Sequence, residues 1–523
     1  QVVDVGGREV YFRFAGDGPP FLLLHESPRS SVALIPLMER LADDFTVVGL
    51  DTPGIGGSYP LEQARPRSDD YADAVVDTMI ALGLEKVPIY GTHTGACIAA
   101  ALAARHPGRV AIAILDGYPI FTRAEQEELL REYLPPFRPA WNGTHVAWLW
   151  ARVRDQFTFF PWYAAGREGR LPRDPPPLDF HQLVVEDFLH AGDNYRPAYA
   201  SAFRFDGVKA LDDFRAPVAI TAREDDLLFP HLDRLPETLP KGVEVHRLGA
   251  DRDEWAARIG DIAKREVVQQ EMPAPEPEWT CGKRMARRFV EVNGRTAHVR
   301  RGGTATGRPL LLLHRTPGHG GELDDQVKRL ARSRTVIAPD LPGSGNSDGL
   351  DGMNAASVID WVECLLSALD IDECDVAGEY TGGSFALQLA ALGNVKAKTV
   401  TLAQMSRHVT EAAPKMPPLP DLTPRWDGTH LMAAWYWARD SILYKDWCDR
   451  RVDAAWPVIY DTDIGLLHAR FAGAVFGAKS HARLHAAAQE ISFDEAIGTV
   501  SSAGTRISRT DLPLAAYRWE EGM

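Results

Sequence analysis

The chain has 523 residues, 45% hydrophobic and 25% charged, a globular composition with length for roughly two to four packed domains. Its net charge of −15 excludes the basic surfaces that nucleic-acid binding requires. No apolar run reaches the ~18 residues of a membrane span, and the five cysteines are scattered without a C-x-x-C, so reduced thiols in a cytoplasmic protein are expected.

Taken in order, the first half alternates strands and helices. Val2–Val5 and Arg8–Phe12 form a hairpin across Gly6-Gly7. Phe21–Leu24 is a continuous apolar run, hence a buried strand, and it ends in His25-Glu26-Ser27-Pro28. A helix over Val32–Leu41 and a strand over Thr46–Leu50 lead to the loop Asp51-Thr52-Pro53-Gly54-Ile55-Gly56. An amphipathic helix over Asp69–Leu82 precedes the strand Val87–Tyr90, the turn Gly91-Thr92-His93-Thr94-Gly95 and a helix of small residues. The strand Val110–Leu115 follows and ends at Asp116. This order predicts an α/β fold with a mostly parallel sheet.

From about 121 to 205 the chain is helical, aromatic and broken by proline, the pattern of a lid inserted into the sheet domain. The sheet resumes at Val218–Thr221, followed by Arg223-Glu224-Asp225-Asp226, the strand Val243–Leu248 and a helix over Glu254–Ile262. The first domain is therefore 1–265. Residues 266–285, with Pro273, Pro275 and Pro277 among glutamates, form a stiff linker.

The second half repeats the first. Leu310–Leu313 with His314-Arg315-Thr316-Pro317 corresponds to Phe21–Pro28, and Asp340-Leu341-Pro342-Gly343-Ser344-Gly345 to the loop at Asp51. Gly378-Glu379-Tyr380-Thr381-Gly382 corresponds to the turn at His93, and Trp426–His430 to Trp141–His145. Four motifs in one order, about 285–289 residues apart, mark a tandem duplication rather than a solenoid. The second domain spans 286–523, with its lid at about 406–480. Asp511 falls where Asp226 would, too close to the end for a last strand and helix, and 499–509 is too polar for a buried strand. The second sheet is expected to lack its final strand and helix, unless another segment completes it.

A strand, a glycine-flanked turn and a helix have the form of a nucleophile elbow, in which the central residue is normally serine. Here it is His93 in one half and Tyr380 in the other. With the histidines after the third strand, the D-x-P-G-x-G loops and Asp226 four residues before Pro230, both halves resemble the α/β-hydrolase fold with a lid. The resemblance implies a fold that hosts esterases, lactonases, epoxide hydrolases, dehalogenases, lyases and cofactor-free oxygenases. It also implies a triad histidine near Gly249–Arg252, where only Asp251 and Arg252 are found. The Ser-His-Asp relay is thus absent from both halves.

His93, above a helix N-terminus, is expected to be neutral and to act as nucleophile or general base. Glu26 is either a second base facing it or a residue that bonds the loop, and Asp226 is its acid partner, with Asp116 an alternative. His25 begins the oxyanion loop, whose donors would be the amides of Glu26 and Thr94. Aromatics such as Trp148 would line an apolar pocket. In the second domain Tyr380 beside Glu379, with His314 and Arg315, forms either a proton-donating pocket or a plugged one; Arg315 and His319 either bind an anionic substrate or, the plainer reading, are loop surface charge. A metal held by His25 and His93 with carboxylates is a weaker alternative, without metal-specific spacing. No nucleotide cofactor is expected, since neither a dinucleotide fingerprint nor a P-loop is found. The substrate is expected to be a small apolar or aromatic molecule, turned over by hydrolysis or by cofactor-free lyase or cyclase chemistry. The two domains would pair within the chain, the second mainly as scaffold; a homo-oligomer is compatible with this, and a non-catalytic binding protein is the alternative.

Overall fold

The protein is described by a computed structural model covering residues 1–270, 272, 285–303, 307–392, 394–404, 419–456, 463–510 and 514. Most of the linker at 266–285, the start of the second lid and Asp511 lie outside the described residues. The chain divides into two compact units, one of Gln1–Arg138 with Leu149–Glu276, the other of Pro139–Trp148 with Pro277–Met523. Among the described residues no helix is long and apolar enough to cross a membrane.

The first unit is built on an eight-stranded sheet in the order β1-β2-β4-β3-β5-β6-β7-β8. The strands are β1 (Val2–Val5), β2 (Arg8–Ala15), β3 (Pro20–Leu24), β4 (Thr46–Leu50), β5 (Val87–Thr92), β6 (Val110–Asp116), β7 (Val218–Arg223) and β8 (Val243–Leu248). The hairpin β1–β2 is antiparallel, as is β2 against β4, and all later pairs are parallel. Every residue of β3, β4 and β6 is buried, as expected of strands covered on both faces. The helices are α1 (Ile35–Leu41), α2 (Ser68–Ala81), α3 (Thr94–Arg105), then between β6 and β7 α4 (Arg123–Glu132), α5 (Thr144–Thr158, its first residues grouped with the other unit), α6 (Leu178–Ala191), α7 (Tyr195–Phe203) and α8 (Gly207–Leu211), and finally α9 (Arg252–Lys264). One face of the sheet packs Phe21, Leu23, Val47 and Ile114 against Leu37 and Leu41 of α1 and Ile259 and Ile262 of α9.

The second unit repeats the order from its first edge: β9-β10-β12-β11-β13-β14-β15. Its strands are β9 (Met285–Val292), β10 (Arg295–Gly302), β11 (Leu310–Leu313), β12 (Val336–Pro339), β13 (Glu373–Glu379), β14 (Lys396–Ala403) and β15 (Arg506–Thr510). Its helices are α10 (Asp324–Leu330), α11 (Ala355–Ala368), α12 (Thr381–Leu392), α13 (Thr429–Leu443), α14 (Ile464–Phe476), α15 (Ala478–Gln489) and α16 (Phe493–Ser502). The polar segment read as unfit for a strand does contain one. Arg506–Thr510 pairs in parallel with β14 from Thr399 to Ala403. It is the edge of the described sheet, so its side chains stay half-exposed or exposed, and the alternation of a buried strand is not required. A counterpart of β8 and α9 is not among the described residues.

The repeated D-x-P-G-x-G loops act as clamps. Asp51 accepts the amides of Ser31 at 2.7 Å and Gly57 at 2.8 Å. Asp340 accepts those of Gly320 at 2.7 Å and Asn346 at 3.0 Å. Each carboxylate ties the loop after the fourth strand of its unit to the loop after the third, and so shapes the end of the sheet where the elbow emerges.

Candidate active site

His93 sits at the tip of the turn between β5 and α3 with φ +48° and ψ −104°, a region non-glycine residues rarely occupy and which costs about 1–3 kcal/mol. The flanking glycines are sterically required. A Cβ on Gly91 would lie 2.1 Å from the carbonyl oxygen of Gly95, and one on Gly95 would lie 2.3 Å from that of Leu24. Tyr380 takes the same conformation, φ +50°, between Gly378 and Gly382. Both halves therefore keep the strained turn that lifts its central side chain off the sheet, although neither carries serine there.

The His93 side chain reaches the acid loop directly. Its Nε2 lies 3.0 Å from both carboxylate oxygens of Asp226. Asp226 Oδ1 also accepts the Leu228 amide at 2.7 Å, which fixes the carboxylate. In a three-membered relay a separate histidine spans the gap between nucleophile and acid; here the elbow residue spans it. The residue that makes room is Gly117, just beyond β6. A Cβ there would lie 2.4 Å from His93 Cδ2 and 2.7 Å from Nε2, and its φ is +59°. No sequence motif singled out this glycine. Gly117→Ala is expected to displace the ring and reduce kcat/KM by about 10²-fold, as misplacement by about 1 Å does. Kinetics and a crystal structure of the variant check it, and unchanged kinetics with an undisturbed ring would refute the spacing argument.

The expectation of a neutral His93 is corrected. Burial pulls its pKa down, but the charge and hydrogen bond of Asp226, with the charges of Glu26 and Asp116, outweigh that and raise it from 6.5 to about 9. Burial likewise pushes Asp226 upward, while the His93 cation, its hydrogen bond and the Leu228 amide hold it well below the usual carboxylate range. A full carboxylate at 3.0 Å is a stronger influence than the partial charge of a helix end, which carries about half a unit charge. The raised pKa favours the imidazolium at neutral pH; the ring is paired with Asp226 through Nε2 and is 32% exposed.

The other expected residues are partly brought here. Glu26 is half-buried and acts on His93 through charge, not through a hydrogen bond. His25 is buried among the backbone: Nδ1 donates to the Glu26 carbonyl at 2.9 Å and Nε2 accepts the Thr52 amide at 2.9 Å. Both its nitrogens are committed, so His25 and His93 do not share a metal site; among the described residues no group of three metal-ligating side chains converges. Asp116 is not the acid. Its carboxylate accepts Tyr90 Oη at 2.8 Å, Thr221 Oγ1 at 2.9 Å and Trp255 Nε1 at 3.2 Å, beneath the elbow. Asp251 caps α9 and Arg252 pairs with Asp225 at 2.9 Å, so neither stands in for the missing histidine.

Above His93 lies a cavity of about 510 Å³, including its open mouth. Its walls are Pro119, Phe121, Tyr133, Phe160, Tyr199, Ala202, Phe203, Leu227 and Leu228, with Ser27 and Thr94 beside the ring. Thr94 and Ser27 line the cavity and Glu26 is not among its lining residues; the Glu26 carbonyl accepts His25 Nδ1. The Ser27 hydroxyl is buried and has no hydrogen-bond partner. Trp148 does not line this cavity; it belongs to the Pro139–Trp148 stretch grouped with the second unit. Tyr133 and Tyr199, from the helical segment between β6 and β7, carried no motif and escaped the sequence reading.

In the second unit Arg315 is corrected from surface to core. It is 3% exposed, with NH1 3.4 Å from Glu379 and NH2 3.2 Å from Ser441 Oγ. Glu379 is buried between Arg315 and Arg470, and its second oxygen accepts the Leu514 amide at 3.0 Å. His314 repeats the backbone role of His25, donating to the Arg315 carbonyl at 2.7 Å and accepting the Leu341 amide at 2.8 Å. His319 caps the turn at Gly320.

Comparison with known proteins adds the following. A family model described as the alpha/beta hydrolase fold matches residues 19–248 and 308–429. The acetyltransferase component of an acetoin-cleaving system from Pseudomonas putida is 35% identical over 145 residues, 27% of this chain and 35% of that protein. A soluble epoxide hydrolase from Corynebacterium sp. is 37% identical over 100 residues, 19% of this chain and 34% of the relative. A fluoroacetate dehalogenase from Burkholderia sp. is 30% identical over 131 residues, 24% and 43% of the two chains. The aligned stretches thus span well under half of these relatives' own length. The solved enol-lactonase from Burkholderia xenovorans LB400 is matched over 51% of this chain and 97% of its own, at 19% identity and a TM-score of 0.37. Because the family match runs through both halves of the sequence and takes in both elbows, the chain belongs to the α/β-hydrolase fold family.

Proposed function

We propose that the first unit is an enzyme in which His93 and Asp226 form an acid–base dyad acting on a small, largely apolar or aromatic molecule. The observation that carries this reading is the direct contact of the elbow histidine with the acid-loop carboxylate, at 3.0 Å, on the floor of an aromatic cavity. Asp226 holds Nε2 and leaves Nδ1 as the proton-transferring atom. At neutral pH Nδ1 bears a proton, so His93 first acts as a general acid, protonating an oxygen that gains negative charge as a bond to it breaks. The neutral ring left behind is then the base that takes a proton from water in hydrolysis, or from carbon in an elimination. A nucleophilic role would need the neutral ring at the outset, which the ion pair disfavours. Ser27 and Thr94 line the same cavity, and their amides are the candidate donors to an oxyanion. The second unit, with tyrosine at its elbow, serves mainly as scaffold for this chemistry.

The epoxide hydrolase and the fluoroacetate dehalogenase among the relatives suggest epoxides and small haloacids as first substrates, tested beside esters, lactones and β-keto compounds. Turnover should be measured from about pH 6 to 10, where loss of the acid form predicts kcat/KM falling tenfold per pH unit above about 9. A rise through pH 9 would make His93 the initial base instead. No turnover of any class, with ligands still bound in the cavity, would favour the binding-protein reading.

A further inference from the structure

The second unit has a cavity of its own, about 450 Å³ with its open mouth, lined at one side by Arg315, Thr316, Tyr380 and Lys445 and walled by Trp437 and Trp447. We propose that this cavity binds a small carboxylate carried on a flat apolar body, with Arg315 and Lys445 facing the anion and the two tryptophans facing the body.

Three observations support the assignment. First, the cations exceed what the neighbouring carboxylates balance. Glu379 is shared by two buried guanidiniums, Arg315 at 3.4 Å and Arg470 at 3.7 Å. Asp446 lies near Tyr380 and Glu322 near both arginines, but burial pushes Glu322 up to about 7 in spite of them, so it is only partly ionised at neutral pH. Lys445 adds a further positive charge at the cavity wall. Buried cations are costly unless paired, and an anion entering this cavity would complete the pairing.

Second, Thr316 is 7% exposed, lines the cavity, and its Oγ1 has no hydrogen-bond partner. A buried hydroxyl without a partner is an unmet donor and acceptor, and a carboxylate oxygen would satisfy it. Third, the walls are aromatic, with Trp447 half-buried at the cavity. The Arg315 guanidinium already stacks 4.8 Å from the Trp437 ring centroid and 5.7 Å from that of Tyr380, so the cation is held rigidly among aromatic faces. The tyrosine at the elbow then supplies a phenol where the first unit supplies an imidazolium, which makes this a binding pocket of different chemistry, independent of the dyad reading.

The test uses calorimetric titration of the full chain with phenylacetate and with its uncharged isostere phenylacetamide. Binding of phenylacetate at one site, at least roughly tenfold tighter than the amide, is expected from loss of charge-assisted hydrogen bonds. Lys445→Ala and Thr316→Val should each weaken phenylacetate by about fivefold or more, while His93→Ala leaves this site unchanged. Thr316→Val should leave the melting temperature level or raise it, since it removes an unsatisfied hydroxyl, and this separates a binding effect from misfolding. Arg315→Ala is avoided as the primary probe because it would strand Glu379. Equal affinity for acid and amide, no binding of phenylacetate at millimolar concentration, or binding lost in His93→Ala but kept in both second-unit variants, would overturn the proposal.

Discussion

Replacing His93 by alanine is expected to lower kcat/KM by about 10²–10⁴-fold, the usual contribution of a positioned acid–base group. Alanine also strips Asp226 of its cation. That carboxylate is only 12% exposed and would retain the Leu228 amide as its partner. Some loss of stability will therefore accompany the loss of activity, and the two have to be separated. His93→Asn does so. Asparagine tolerates positive φ better than alanine and keeps a polar amide at the elbow, although it is too short to take the place of Nε2 at Asp226. The asparagine variant should fold with a melting temperature closer to the wild type, yet lose as much activity as alanine, because an amide does not transfer a proton. If His93→Asn keeps substantial turnover, the chemistry does not run through this ring.

Asp226→Asn has a different signature, because it leaves the ring and removes its anion. Without the carboxylate, burial acts on His93 with less opposition, and its pKa should fall from about 9 toward the ordinary 6.5. At pH 7 a ring of pKa near 6.5 is about one-quarter protonated, so loss of the acid form should lower kcat/KM by up to roughly fourfold, and lost orientation of the ring adds to this. The alkaline limb of the pH profile moves down with the pKa, so activity should recover partly on acidification, which a purely structural defect would not show. The effect on stability has a defined sign. His93 has its folded pKa raised, so its contribution is complete below 6.5 and disappears as pH rises through about 9. Asp226 has its folded pKa lowered, so its contribution is present above its ordinary 3.8 and is lost only in more acidic solution. The wild type should exceed Asp226→Asn in melting temperature most between about pH 4 and 6.5 and least above about 9. A constant difference from pH 5 to 10 would mean that the pair is not an ion pair in the folded protein.

The two halves illustrate how one scaffold tolerates different chemistry at the same turn. The elbow geometry survives in both because it is set by glycines against neighbouring backbone, independently of what the central side chain does. His93 meets Asp226 in one unit; Tyr380 meets Arg315 in the other. The shared histidines His25 and His314 do the same task in each, tying the loop after the third strand to the loop after the fourth. Repetition of a motif in this chain is therefore a sign of loop architecture, and the differences between copies are where chemistry has to be sought.

Much of this was legible in the order of residues alone. Short continuous apolar runs bounded by turn signals, such as Phe21–Leu24 and Leu310–Leu313, fit strands covered on both faces, and glycines spaced four apart between a strand and a helix fit a tight turn. The duplication, the sheet class and the positions of His93, Asp226 and Tyr380 all follow from such local patterns. What the sequence could not determine were quantities set by distance. The charge on His93 depends on a carboxylate 133 positions away that the fold brings to 3.0 Å, while local reasoning sees only the helix end beside it. Burial of Arg315 depends on Glu379, Ser441 and Arg470, drawn from three separate elements. The strand at Arg506–Thr510 is polar because it lies at an edge, and edge position is a property of the sheet rather than of five residues. Periodicity along the chain reports which side chains are buried; only tertiary packing decides which charges and cavities they are buried beside, because Coulomb and contact energies fall with distance in space and not with separation in sequence.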